Sequence, residues 1–128
     1  MKDYTHLTPK DKFDDSHIDE LNTFSVDEIR VIVPRLLEWL QDGNWPISNK
    51  IQVYFEPRIH EIENELIQIL TTNDEIWKYY ILRLINNSGK LPGEKIKSEI
   101  YRIALHPKPS ETEEELDQIA AEILKKFI

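Results

Sequence analysis

From Ser25 to the carboxyl end, apolar residues return every three or four positions, and no stretch alternates convincingly in twos. A three-to-four-residue period lines apolar side chains along one face of an α-helix, whereas a half-buried strand needs a period of two. The chain is therefore expected to be all-α, with about six or seven helices.

Local chemistry predicts where those helices start and stop. Ser25-Val26-Asp27-Glu28 has the form of a capping box, followed at helical spacing by Val26, Ile29, Ile32, Val33, Leu36, Leu37 and Leu40. Pro34 lies inside that pattern, where its ring clashes with the preceding turn and one backbone donor is lost, so a kink or break is expected near Val33. Gly43-Asn44 ends the element, and Pro46 opens the next helix, whose stripe of Ile47, Ile51, Tyr54 and Phe55 stops at Pro57. Ile59, Ile62, Leu66, Ile69 and Leu70 form the following stripe. Asp74 then caps EIWKYYILRLI, in which only Lys78 and Arg83 interrupt the apolar and aromatic run, as a central helix covered on most sides requires. Ile96, Ile100, Ile103 and Ala104 make a stripe ended by His106-Pro107, and Ser110-x-x-Glu113 is expected to box a last helix carrying Leu116, Ile119, Ala120, Ile123, Leu124 and Phe127. A short helix near His17 to Asn22 completes the set.

Short connections favour antiparallel hairpins of consecutive helices. LLEWLQDGNW (36–45) and LIQILTTNDEIW (66–77) both read as a helix end, a polar turn and a Trp opening the next helix, a period of about 30 residues. Residues 100–116 fit the same plan loosely. Paired helices at this period point to a HEAT-like superhelix, in which each hairpin buries its face against its neighbours.

With 128 residues, one HEAT-like domain over 1–128 is expected, 1–14 being its polar amino-terminal segment. The absence of cysteine removes disulfides, thiolate nucleophiles and Cys-ligated metals. Twenty-four Asp and Glu against sixteen Lys and Arg, net −8, would repel a phosphate backbone, so no nucleic acid is expected as partner. A cationic protein is compatible with that charge, and so is plain solubility. No stretch approaches the apolar length that spans a bilayer and the amino end lacks a signal-peptide core; the expectation is no membrane partner and a cytoplasmic location. Oligomeric state is not legible.

LLEWLQDGNWP (36–46), preceded by TPKDKFD (8–14) and followed by IWKYYIL (76–82), resembles a bacterial family of small domains of unknown function, domain of unknown function 5071, whose words run PKDK, LLEWLQDxNWP and a WKYW-like stretch. The likeness extends from Leu7 to Leu124. Tyr80 stands where a second Trp is usual, and Ser48 where a small apolar residue is. The resemblance implies an all-helical, HEAT-like fold and brings no activity, cofactor or catalytic residue.

Trp39, Asp42, Asn44 and Trp45, with Glu38, can form a partner-binding patch on the turn ridge, the indoles as anchors and the polar groups as hydrogen-bonding partners. The competing reading uses Asp42 or Asn44 as a cap and packs the indoles between hairpins, with Trp45 mostly buried and Trp39 less so. Lys10 and Asp11, with Lys12, Asp14 and Asp15, make a dense polar cluster, favoured as an amino-terminal clasp over a binding site. His6, His17, His60 and His106 form no His-x-x-x-His or Glu-x-x-His pair, so no metal site and no cofactor are expected. His60 reads as solvated surface. No nucleophile elbow or phosphate-cradling glycine loop is present. Glu111, Glu113, Glu114, Glu115 and Asp117 read as charges that complement a helix dipole. Tyr79, Tyr80 and Trp77 read as core or as the lining of a cavity.

The function expected is a non-enzymatic protein–protein interaction module, in a specific form an immunity-type inhibitor of a cationic toxin. The alternative is a small enzyme or metabolite-binding protein with a carboxylate and tyrosine cleft.

Overall fold

Prolines in the first turns and the Asp74 cap set several of the helix boundaries in the computed structural model, which describes residues 3–127; Met1, Lys2 and Ile128 of the expected 1–128 domain lie outside it. Eight α-helices and three 3-10 helices, with no strand, occur among the described residues. They are α1 (Ile18–Leu21), α2 (Val33–Glu38), α3 (Pro46–Phe55), α4 (Glu63–Leu70), α5 (Glu75–Ser88), α6 (Glu94–Leu105), α7 (Pro109–Glu113) and α8 (Leu116–Phe127). The fold is all-α, and no described helix is long and apolar enough to cross a membrane.

The Ser25 box forms, with the Glu28 N–H 3.3 Å from Ser25 Oγ and the Ser25 N–H 3.1 Å from the Glu28 carboxylate. It opens only turns and a 3-10 helix, Arg30–Ile32; the α-helix begins at Val33, with Pro34 in its first turn where no donor is missed. Pro46 is the first residue of α3, and Pro57 falls in the 3-10 segment Glu56–Glu61 that replaces it. Asp74 caps α5, accepting from the Trp77 N–H at 3.1 Å. The last helix is the main departure from expectation. It is split into α7 and α8 at Glu114 and Glu115, and Glu115 takes a positive φ of 60°.

Buried apolar side chains form one contiguous cluster from Leu7 to Ile123, including Leu36, Leu37, Ile51, Phe55, Leu66, Ile81, Leu82, Leu84 and Ile100. α5 packs on α8, α4 and the Glu56–Glu61 segment, in keeping with a central helix, while α6 packs most extensively on α8. Neighbours in sequence thus pair in α4 with α5, but α8 lies against both α5 and α6, so contact is not confined to consecutive hairpins. The two Trp corners differ: the Trp77 indole N–H donates to the Leu37 carbonyl at 3.0 Å and pins α5 to α2, whereas Trp45 meets Trp39 edge to face, ring centroids 5.5 Å apart.

Candidate functional site

The α2–α3 corner is tight because residue 43 is glycine. A Cβ there would run into the Tyr80 ring, so Gly43 serves the close approach of α5 rather than an unusual φ. Asp42 Oδ1 accepts from the Asn44 N–H at 2.8 Å, and the Asp42 carbonyl from the Trp45 N–H at 3.1 Å, which closes the turn onto α3.

This corner, the first turns of α5, and α7 surround an open depression of about 580 Å³. Asp42, Asp74, Glu113, Glu114 and Glu115 line it together with Tyr79 and Tyr80, and no Lys, Arg or His among the described residues does. The two tyrosines meet edge to face at 5.3 Å between centroids. Asp42 and Asp74 hold local turns and caps; Glu113, Glu114 and Glu115 have no side-chain partner among the described residues.

The patch expected on the ridge is divided between two hollows. Glu38, Trp39 and Trp45 line a second one of about 360 Å³, with Arg35, Thr8 and Pro9, while Asp42 and Asn44 face the acidic depression; Gln41 borders both. Trp45 was expected to be mostly buried and Trp39 less so, and burial class does not separate the two. Both are half-buried, and it is Trp39 that packs against the core. Trp45, the residue before Pro46, takes an extended backbone conformation.

Behind the acidic depression lies a buried ion cluster that periodicity does not disclose. Lys78 and Glu111 are 1% and 0% exposed and 2.8 Å apart. Glu111 was expected among the solvated dipole charges; instead both its oxygens are filled, one by the Lys108 N–H and Arg102 Nη1 (2.8 and 3.0 Å), the other by Lys78 Nζ and Arg102 Nη2 (2.8 and 2.6 Å). Lys78 also donates to the Thr72 carbonyl and to Glu75, which accepts from Ser110, and Arg102 donates to Glu99. Burial alone would raise the Glu111 carboxyl, but the Arg102 guanidinium, the Lys78 ammonium and the Lys108 amide outweigh it and bring it down to about 2. Contact with the same carboxylate raises Arg102. The cluster ties α7 to α5 and α6, and so sets the stance of Glu113 and Glu114. Ser110 and Glu113 do not form the expected box: α7 starts one residue earlier, at Pro109, and Glu111 reaches back to Lys108.

The amino-terminal cluster is tied to α3 through two of its expected members, Lys12 and Asp15. The Ile47 N–H donates to the Lys12 carbonyl at 3.0 Å, and Lys50 pairs with Asp15. Lys10 and Asp11 take no part in it. The Asp11 carboxylate accepts from the Phe13 N–H and its carbonyl from the Asp14 N–H, and the Lys10 ammonium has no partner among the described residues; both border a shallow hollow with Phe13 and Asp14. His60 is exposed, and its ring nitrogen lies 2.8 Å from the Leu91 carbonyl. His6, His17 and Glu20 are the one group among the described residues able to offer three metal-ligating atoms together, an arrangement that no local His-x-x-x-His or Glu-x-x-His spacing discloses.

No curated protein matches the chain. The sequence model of the family described as Domain of unknown function (DUF5071) matches residues 7–124, and the chain belongs to that family.

Proposed function

We propose that the chain is a non-enzymatic protein–protein interaction module that receives a cationic segment of its partner in the depression over Tyr79 and Tyr80. The observation that carries this reading is the set of five carboxylates, drawn from three separate parts of the chain, around one hollow with no cation among the described residues that line it. Like charges held together repel, and a partner's Lys or Arg relieves that repulsion while its side chain lies on a tyrosine face. Complementary charge of this kind mainly speeds encounter and selects the partner. An acidic inhibitor that blocks a cationic toxin, as immunity proteins do, is the specific form we favour.

Titration with an Arg- and Lys-rich peptide, followed by amide NMR, tests it. Shifts centred on Tyr79, Tyr80 and Glu113, weakened by salt and about tenfold or more by Glu113→Lys with Glu114→Lys, are expected. Binding indifferent to the double reversal, or no binding, would overturn it. The second reading, a small enzyme or metabolite-binding protein, is favoured by the meeting of tyrosines and carboxylates in one hollow. A metabolite thermal-shift screen separates the two, because a small ligand that binds the native state raises its melting temperature without any peptide.

A further inference from the structure

Leu7 and Leu21 are buried, and each fixes a short segment against the core: the 3-10 helix Thr5–Leu7 and α1. On the outer side of these two anchors stand His6, His17 and Glu20. His17, the residue before α1, and Glu20, in α1, are three residues apart, and His6 is brought to them from fourteen residues before Glu20. His6 Nε2 lies 2.9 Å from Glu20 Oε2, His17 Nδ1 lies 3.3 Å from Glu20 Oε1, and the two imidazole rings meet edge to face with centroids 5.3 Å apart. One ligating atom from each of the three falls within 4.8 Å of the others.

We propose that His6, His17 and Glu20 form a binding site for a divalent transition-metal ion, Zn²⁺ being the ion that fits best. Two imidazoles and one carboxylate are a donor set that Zn²⁺ takes, with nitrogen and oxygen ligands at about 2.0–2.2 Å and a fourth position left to water. In tetrahedral geometry those bond lengths separate neighbouring ligand atoms by about 3.3 Å. The two histidine-to-carboxylate spacings, 2.9 and 3.3 Å, are near that value, all three ligand atoms lie within 4.8 Å of one another, and the rings turn on surface side chains, so rotamer adjustment can close the set on an ion. Asp3 and Asp14 add negative field at His6 and His17 respectively, which favours a dication over the free imidazoles. The absence of thiolates and the mixed nitrogen and oxygen set select a borderline ion over a soft one. The bound ion fastens the Thr5–Leu7 turn to α1, and through Thr8 and Pro9 it steadies one wall of the hollow that holds Trp39 and Trp45.

Calorimetric titration of the full chain with Zn²⁺ tests the site. One ion per chain, with micromolar or tighter affinity and a rise in melting temperature, is expected. His6→Gln, His17→Gln and Glu20→Gln should each weaken binding about tenfold or more. All three positions are at the surface, so circular dichroism should find the variants folded; His60→Gln and His106→Gln should bind as the parent does. Co²⁺ in place of Zn²⁺ should give a visible spectrum of nitrogen and oxygen ligation that His6→Gln alters. No stoichiometric uptake at about 100 μM Zn²⁺ would overturn the proposal. So would uptake that survives the His6 and His17 substitutions, or that is lost instead on changing Glu113 and Glu114.

Discussion

Glu111 and Glu20 each gather two basic side chains on one carboxylate, Lys78 with Arg102 in one case and His6 with His17 in the other. Glu111 is fully buried, whereas the Glu20 side chain is 44% exposed. In the interior no water can replace a lost partner, so each member of the Lys78 cluster is indispensable once the others are present. At the surface water stands ready for every group, which makes the Glu20 contacts weak in energy and free to exchange for another ligand. The same chemistry is therefore a fastening in one place and a reactive surface in the other, and burial decides which.

The comparison breaks most readily at Glu111. Glu111→Ala leaves Lys78 and Arg102 without their main counter-charge and should cost about 3–5 kcal/mol in urea denaturation, while Glu20→Ala should leave the midpoint unchanged. Equal shifts in the two variants would erase the distinction.

Acid should sharpen the contrast. The folded Glu111 carboxyl lies at about 2 against an ordinary 4.5. A carboxyl lowered by folding lends stability that is complete above its unfolded value and is lost as pH falls through the folded one, so the window runs from about 4.5 down to about 2. Across it Glu111 contributes about 3 kcal/mol, at roughly 1.4 kcal/mol per pH unit. Glu111→Gln should flatten the fall of stability between pH 5 and pH 3, measured by urea midpoints. The Glu20 carboxyl, lowered chiefly by its bond to His6, is open to solvent and should move back toward its ordinary range in about 1 M salt, as followed by side-chain NMR.

The smallest effect concerns the bend that the buried cluster maintains. Glu115 holds φ 60°, a conformation that costs a residue with a Cβ about 1 kcal/mol, so Glu115→Gly should stabilise the fold by about that amount. In a Glu111→Gln background α7 is held less firmly, and the gain measured by thermal midpoint should shrink. An undiminished gain would mean that the α7–α8 bend does not depend on the cluster.

The helix boundaries at Val33, Pro46 and Asp74 were legible because caps and prolines act on backbone groups within four residues. The same holds for the stripes: Ile47, Ile51, Tyr54 and Phe55 are all buried. Lys78 and Glu111 were not legible as partners. Periodicity counts any charge as polar, and the residue that makes Lys78 tolerable in the core lies 33 positions away. One signal was available: Lys78 shares a helical face with Leu82 and Ile85, at i+4 and i+7, inside the most apolar run of the chain. Tyr79 and Tyr80 were ambiguous between core and cavity for a similar reason, since a helix surrounded by others keeps both kinds of face and the neighbours assign them. Of the ridge residues, Asp42 and Asn44 stand at the acidic hollow and Trp39 and Trp45 at another, a division that the unbroken word LLEWLQDGNWP conceals.

By itself the sequence determined the all-helical class, the positions of most helix starts and stops, and the family, because these rest on local capping, proline geometry, short periodicity and long matching words. The tertiary structure alone decided that Glu111 is buried while Glu113, Glu114 and Glu115 have no side-chain partner among the described residues, that five carboxylates line one hollow with two tyrosines, and that His6 joins His17 and Glu20. Each of those outcomes depends on residues far apart in the chain: 14 positions from His6 to Glu20, 33 from Lys78 to Glu111, and separate segments around Asp42, Asp74 and Glu113. Burial then changes what a charge is worth, and burial belongs to the packed chain and to no single segment of it.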